Sequence, residues 1–172
     1  MEERYDIGHH INLDDVAISN TELALKEFSR GSKALSICLR ELWMHGIKTY
    51  SCNPGENNSF AIGYIKVEED EDIFSYLSKE ILNDEKIRIA IEDNRQIIKF
   101  SGTTPEKEGV MLMIAREIQS GKKNNTSKLI EEKIGEDFPT EWVRKLKSYD
   151  SNPNSTYWGE KVFIKKKQSL SK

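Results

Sequence analysis

The stretch KIRIAIEDNRQIIKFSG, residues 86–102, decides the fold because it has the pattern of a complete β-hairpin. Apolar and polar side chains alternate on both sides of Asp93-Asn94, and these two residues tolerate the positive φ angles of a two-residue turn. The turn predicts a register in which Glu92 lies opposite Arg95. We expect one face of the hairpin to be buried, and its residues are Ile87, Ile89, Ile91, Ile98 and Phe100.

The opposite face of this hairpin carries charges of both signs, from Arg88, Glu92, Arg95 and Lys99. Such side chains are expected to meet water or a partner rather than a hydrophobic core. A sheet that presents this face outward could associate with a second copy of itself. A homodimer is therefore one expectation for this chain.

A second pair of strands precedes the hairpin, in GIKTYS (46–51) and SFAIGYIKV (59–67). Both faces of the later strand are fairly apolar, which predicts a place in the middle of the sheet. The small residues Ala61 and Gly63 lie on one face of it and would allow another group to approach closely.

Three helical segments surround these strands. The first has capping-box spacing at Ser19 and Glu22, an apolar stripe, and a stop at Gly46, while Gly31 either kinks it or divides it. The second is EEDEDIFSYLSKEIL (68–82), with an acidic start and a stripe of Ile73, Leu77 and Ile81. The third opens at Thr104-Pro105, has Val110, Ile114 and Ile118 as its stripe, and ends at Gly121.

The resulting order αββαββα predicts an α+β fold, a two-layer sandwich of helices on a mainly antiparallel sheet. We divide the chain into an N-terminal arm (1–18), a core domain (19–121) and a basic C-terminal extension (122–172). The extension is expected to contain a short helix at 127–134 and a helix-strand segment, and to lie on or near the core. Its 12 Lys+Arg and 7 Asp+Glu contrast with 14 and 22 in residues 1–121.

Composition narrows the function classes. The chain is 37% hydrophobic and 32% charged, and it has no run of about 18 apolar residues that would predict a membrane span. Its two cysteines have no CxxC spacing and do not form a disulfide framework, so we expect a reducing cytoplasm. Neither a metal site nor a cofactor motif is indicated by the spacing of histidines, cysteines or glycines.

The candidate site is the loop SCNPGENNS (51–59), which follows the first strand. Loops at strand ends often carry sites, and amides in a glycine-containing turn can bind an anion. We therefore predict a binding module for a small anionic or nucleotide-like ligand, with charge added by two arginines of the hairpin. The predicted ligand-binding residues are Thr49, Ser51, Cys52, Asn53, Gly55, Asn57, Arg88 and Arg95.

Two other functions remain open at this point. In the first, Cys52 is a catalytic nucleophile and His45 is its base, although nothing in their spacing requires the pair. In the second, the extension binds nucleic acid or another protein, because basic and aromatic residues are mixed there. The residues concerned are Trp142, Arg144, Lys145, Lys147, Tyr157, Trp158, Lys161, Lys165, Lys166 and Lys167.

The segment EFSRGSKALSICLRELWMHGIKTYSCNPG, residues 27–55, resembles a pattern found in uncharacterised small proteins of low-GC bacteria and their phages. The shared features are EFxxGSxxL and, after a leucine-rich helix, GIxTxxCxxG. The resemblance covers about a sixth of the chain. It implies a bacterial or phage accessory protein and no particular activity.

Overall fold

The computed structural model describes residues 21–55 and 61–138. Within these residues there are five α-helices, one short 3-10 helix and four β-strands, so the α+β class is confirmed. In chain order the elements are α1 (Thr21–Phe28), α2 (Lys33–Met44), β1 (Thr49–Asn53), β2 (Gly63–Val67), the 3-10 helix (Phe74–Tyr76), α3 (Lys79–Leu82), β3 (Ile87–Glu92), β4 (Arg95–Phe100), α4 (Thr104–Ser120) and α5 (Ser127–Lys133).

The four strands form one antiparallel sheet in the order β1-β2-β4-β3. The β3–β4 hairpin has the predicted register, with Glu92 opposite Arg95. Asp93 and Asn94 make its turn with φ angles of 53° and 63°. β2 lies inside the sheet as predicted, because it pairs with β1 on one side and with β4 on the other.

One face of the sheet and the helices share a single hydrophobic core. The strands contribute Cys52, Ile65, Val67, Ile87, Ile89, Ile98 and Phe100 to this core, and α2 and α4 contribute the apolar stripes that cover them. The expectation for Ile91 was wrong, because its side chain is 53% exposed. Ile91 lies at the turn end of the hairpin, opposite the polar residue Gln96.

The single helix predicted for residues 68–82 is wrong. The segment contains a turn in which Asp70 has a φ of 71°, the 3-10 helix, and the four-residue α3. The side-chain oxygen of Gln96 accepts hydrogen bonds from the amides of Ile73 and Phe74, at 2.7 and 3.0 Å, and holds this chain against β4. The apolar stripe is nevertheless buried as expected, since Ile73, Leu77 and Ile81 all belong to the core.

The break at Gly31 divides the first helical segment into α1 and α2. Arg30 and Gly31 both adopt left-handed backbone conformations, with φ angles of 51° and 83°. Ser32 then caps α2 by accepting a hydrogen bond from the Leu35 amide. The predicted capping serine, Ser19, lies outside the described residues.

The ends of α4 match their prediction. Thr103 and Glu106 form a capping box at its start, and proline occupies the first turn. Gly121 ends the helix in the left-handed conformation. The short helix predicted for 127–134 is present as α5, whereas the arm and residues 139–172 of the extension lie outside the described residues.

The helices α2 and α4 run side by side in the same direction. Ser32 and Thr104, at their N-terminal ends, line one hollow. At the C-terminal ends, His45 Nε2 lies 4.0 Å from the position of a Cβ built on Gly121. Within the described ranges, none of the helices combines the length and the apolar character needed to cross a bilayer.

Candidate functional site

A hollow of about 250 Å³ lies where the N-terminal ends of α2 and α4 approach the chain that follows β1. Three parts of the chain build it: the α1–α2 turn, the residues after Asn53, and the first two turns of α4. The lining residues are Arg30, Gly31, Ser32, Pro54, Gly55, Thr104, Glu108 and Met111.

The α2 side of the hollow is electropositive. A helix N-terminus carries partial positive charge, which an acidic residue in the first turn usually offsets. The first turn of α2 has no acidic residue and begins with Lys33. Arg30, just before it, is held in a left-handed conformation that costs a non-glycine residue on the order of 1 kcal/mol. Strain of this kind at the edge of a hollow motivates a functional hypothesis.

The α4 side of the hollow has its own acidic residues. The Glu106 side chain accepts a hydrogen bond from the Thr103 amide at 2.8 Å, and this bond lowers the pKa of its carboxyl group. Glu108 lines the hollow one turn away from Thr104. The site therefore combines a cation and an uncompensated helix end on one wall with a carboxylate on the other.

Lys107 is a buried cation beside the hollow. Its side chain is only 1% exposed, although lysine is almost never fully buried. Its Nζ donates hydrogen bonds to the backbone oxygens of Gly55 and Ala61, the second at 2.9 Å. One ammonium group therefore joins two described points of the chain, the residue after β1 at Gly55 and the residue before β2 at Ala61. Burial lowers the pKa of Lys107 to about 8.

This lowered pKa predicts a pH dependence of stability. Between about pH 8 and the ordinary lysine pKa of 10.5, the unfolded chain binds more protons at Lys107 than the folded chain does. The free energy of unfolding of the wild type should therefore rise with pH in that window, relative to a variant that does not titrate. We expect a relative rise of about 2 kcal/mol between pH 7 and pH 9.5, compared with Lys107→Met.

The measurement is urea denaturation of both proteins at several pH values. Taking the difference between them cancels the cysteines, tyrosines and other lysines that also titrate in alkaline solution. A difference that stays constant across this range would mean that the pKa of Lys107 is the same in the folded and unfolded chains, because hydrogen bonds to its ammonium offset the effect of burial.

The structure does not bring Cys52 and His45 together. Cys52 is 8% exposed, its Sγ lies 3.3 Å from the Phe28 carbonyl oxygen, and burial raises the pKa of its thiol to about 12. His45 caps the opposite end of α2, a helix of 12 residues that is about 18 Å long. Cys52 is thus a packed thiol without an adjacent histidine base among the described residues, and Cys38 is likewise buried within α2.

Among the described residues that were predicted around the loop, Gly55 alone lines the hollow. Thr49 is fully buried and accepts a hydrogen bond from the Trp43 indole at 3.0 Å. Asn53 is buried, and its side chain accepts from the Gly55 amide at 2.7 Å, which shapes the turn into the hollow. Ser51 is half-buried and pairs with Lys66 in the sheet, on the face away from the helices. Asn57 lies outside the described residues.

The two predicted arginines lie away from the hollow, because both point from the sheet face that is opposite the helices. Arg88 donates to the Asp137 and Glu85 carbonyl oxygens and lies over the Phe138 ring. Arg95 is at the far end of its strand, stacked on the Tyr50 ring with its Cζ 3.9 Å from the ring centroid. It also faces Glu68 at 3.5 Å. Their charges therefore serve contacts within the protein.

The residues that sequence reasoning missed are Arg30, Ser32, Thr104, Lys107 and Glu108. One signal was present in the sequence: the break at Gly31 was noticed, and a serine after such a break is a usual helix cap. The positions on α4 had no such signal, since nothing in the α4 sequence indicates that its start faces the end of β1.

Comparison of the chain with family models, with curated proteins and with solved structures returned no match. Within residues 21–55 and 61–138, no three side chains of His, Cys, Asp or Glu come together as a metal site requires. The functional conclusion therefore depends on the hollow itself.

Proposed function

We propose that this protein is a binding module for a compact ligand with one anionic group, held in the hollow at the start of α2. The observation that carries the proposal is the positive wall of the hollow, in which Arg30 and an α2 N-terminus without acidic residues lie together. Helix N-termini favour anions through their backbone amides and their dipole. The hollow lies at one end of the predicted two-layer arrangement of helices and sheet.

The size and charge of the hollow limit the ligand. Its volume of about 250 Å³ is below the range of about 300–1,000 Å³ that is usual for drug-sized ligands. A phosphate monoester or carboxylate of a small molecule suits this volume better than a whole nucleotide does. Glu108 on the opposite wall disfavours a second anionic group and can accept a hydrogen bond from a donor on the ligand.

The test uses inorganic phosphate, small phosphate monoesters and small carboxylates as probes in thermal unfolding. A ligand that binds only the folded state raises the unfolding temperature, by an amount that grows with the logarithm of its concentration relative to its Kd. We expect at least one of these probes to stabilise the wild type. Arg30→Asn should weaken that binding about tenfold, because asparagine tolerates the left-handed conformation but lacks the guanidinium group.

Arg40→Gln is the matched control, since it removes the same charge from an exposed position on α2 whose guanidinium pairs with Glu22 at 2.8 Å. Its response to the probe should equal that of the wild type. If no probe stabilises the wild type, or if Arg30→Asn and Arg40→Gln respond alike, the hollow is not an anion site.

A further inference from the structure

The outward face of α4 carries apolar side chains that the fold does not bury. Leu112 and Met113, in the middle of this helix, are 43% and 36% exposed. Ile37 on the neighbouring α2 is 48% exposed. Single exposed apolar residues are common on proteins, whereas several in one layer of helices are typical of an interaction surface.

Two charged residues flank Leu112 on the same ridge of α4. Glu108 and Arg116 lie four residues before and after it, and side chains with this spacing are neighbours on one side of a helix. Both are exposed, and neither forms an ion pair or a side-chain hydrogen bond with a residue that the structure describes. The ridge is therefore acidic at its N-terminal end, apolar in the middle and basic at its C-terminal end.

A glycine beside this ridge leaves space for a second helix. Gly109 belongs to the adjacent ridge, which continues at Met113, and a Cβ built on Gly109 meets nothing within 4 Å. When a ridge of residues spaced by four enters such a groove on another helix, the two helices cross at about −50°, the commonest helix packing. Two copies of α4 can pack in this way because the ridge and the groove lie side by side on the same helix.

We propose that α4 is the contact surface for a second copy of this chain, with the two helices antiparallel about a two-fold axis close to Leu112. Each Glu108 then meets the partner's Arg116, and Leu112 packs beside the partner's Leu112. A two-fold contact requires a surface that is complementary to itself. An acidic, apolar and basic ridge meets this requirement when its copy runs the other way, so the charge pattern identifies the occupant.

The outer face of the sheet, where a homodimer was expected, offers less free surface. Its Lys66, Arg95 and Lys99 side chains are 12%, 18% and 16% exposed, and each faces an acidic residue of the same chain. The contact through α4 does not depend on a ligand in the hollow. Glu108 lines the hollow, but its carboxylate has two oxygens and can accept hydrogen bonds from both sides.

Sedimentation equilibrium of the full-length protein tests the dimer. A contact through one helix and its neighbour is at the small end of specific interfaces, so we expect a reversible dimer with a Kd of about 10–100 μM. Arg116→Glu places carboxylates opposite each other in both pairs and should raise the Kd at least about tenfold. Lys128→Glu is the matched control, because it makes the same change of charge at an exposed position on α5 and should leave the Kd unchanged.

Exchanging the two charges tests the pairing itself. Glu108→Arg alone should weaken the dimer as Arg116→Glu does, because it places two arginines together. An equimolar mixture of these two variants should dimerise with about the wild-type Kd, since every acidic end then meets a basic end. Both positions are exposed, so the fold should tolerate the substitutions.

Three results would each overturn the proposal. The first is a wild type that stays monomeric at about ten times the expected Kd. The second is a dimer that Arg116→Glu weakens no more than Lys128→Glu does, which would place the contact on another surface. The third is a mixture of Glu108→Arg and Arg116→Glu that dimerises no better than either variant alone.

Discussion

Replacing Gly55 with alanine should lower the free energy of unfolding by about 3 kcal/mol. Gly55 has a φ of +73°, and the left-handed conformation costs an alanine about 1 kcal/mol. The added Cβ would also lie 2.8 Å from the Ala61 oxygen and 2.9 Å from the Gly63 nitrogen. Both are backbone atoms of a packed strand end, and overpacking of this kind typically costs a further 1–3 kcal/mol, so roughly 2 kcal/mol is added here. Urea denaturation gives the loss from the midpoint and slope.

Gly46→Ala is the control for Gly55→Ala. Gly46 has a φ of +77°, but a Cβ at this position meets nothing within 4 Å. This variant should therefore lose only about 1 kcal/mol, the cost of the conformation alone. The difference between the two variants measures how tightly the chain after β1 is held against Ala61 and Lys107. Equal losses would show that the chain at Gly55 and Ala61 moves readily to make room for the added methyl group. The hollow would then lack a rigid wall on this side.

The parts of the fold that sequence predicts well are those fixed by neighbours along the chain. The alternation around Asp93-Asn94 sets the hairpin register because a shift of one residue would reverse its buried face. The ends of α4 follow from Thr104-Pro105 and Gly121, which are local signals of the same kind. The prediction of one helix over residues 68–82 was wrong because hydrogen bonds to Gln96, a residue of β4, hold this part of the chain. A contact between residues so far apart in the sequence leaves no periodic signal.

The sequence predicted the region of the candidate site but not most of the residues that line it. The turn at Gly55 was recognisable from composition, and it does line the hollow. Its partners Arg30 and Thr104 come from segments far apart in the sequence, and they meet because α2 and α4 pack in the same direction. Arg88 and Arg95 were chosen because they share a strand face, but alternation along a strand does not say whether that face lies on the side of the loop or away from it.

Replacing Gly63 with alanine should cost about 3 kcal/mol of unfolding free energy, through the side chain of Phe100. Gly63 and Phe100 are register partners, and a Cβ on Gly63 would lie 2.3 Å from Phe100 Cε2 and 2.9 Å from the Asn53 oxygen. Phe100 is fully buried in the core, so its ring cannot move without displacing other side chains. The sequence predicted that a small residue at position 63 permits a close approach. The group that approaches is the Phe100 ring, which covers Gly63 and leaves no room for a side chain there.

Phe100→Leu tests whether the ring is the cause, because leucine leaves room beside Gly63. Alone, this substitution should cost about 1–2 kcal/mol through the cavity that it leaves. Combined with Gly63→Ala, it should cost at least about 1 kcal/mol less than the sum of the two single losses, since the added methyl group occupies the vacated space. Gly109→Ala is the control for Gly63→Ala, because a Cβ at this position on α4 meets nothing within 4 Å. This variant should stabilise the protein by up to about 1 kcal/mol, since alanine favours the helix more than glycine does. Strictly additive losses at Gly63 and Phe100 would mean that the Asn53 backbone, rather than the ring, excludes a side chain at position 63. The contact between Gly63 and the Asn53 backbone would then be what positions the end of β1 that leads to the hollow.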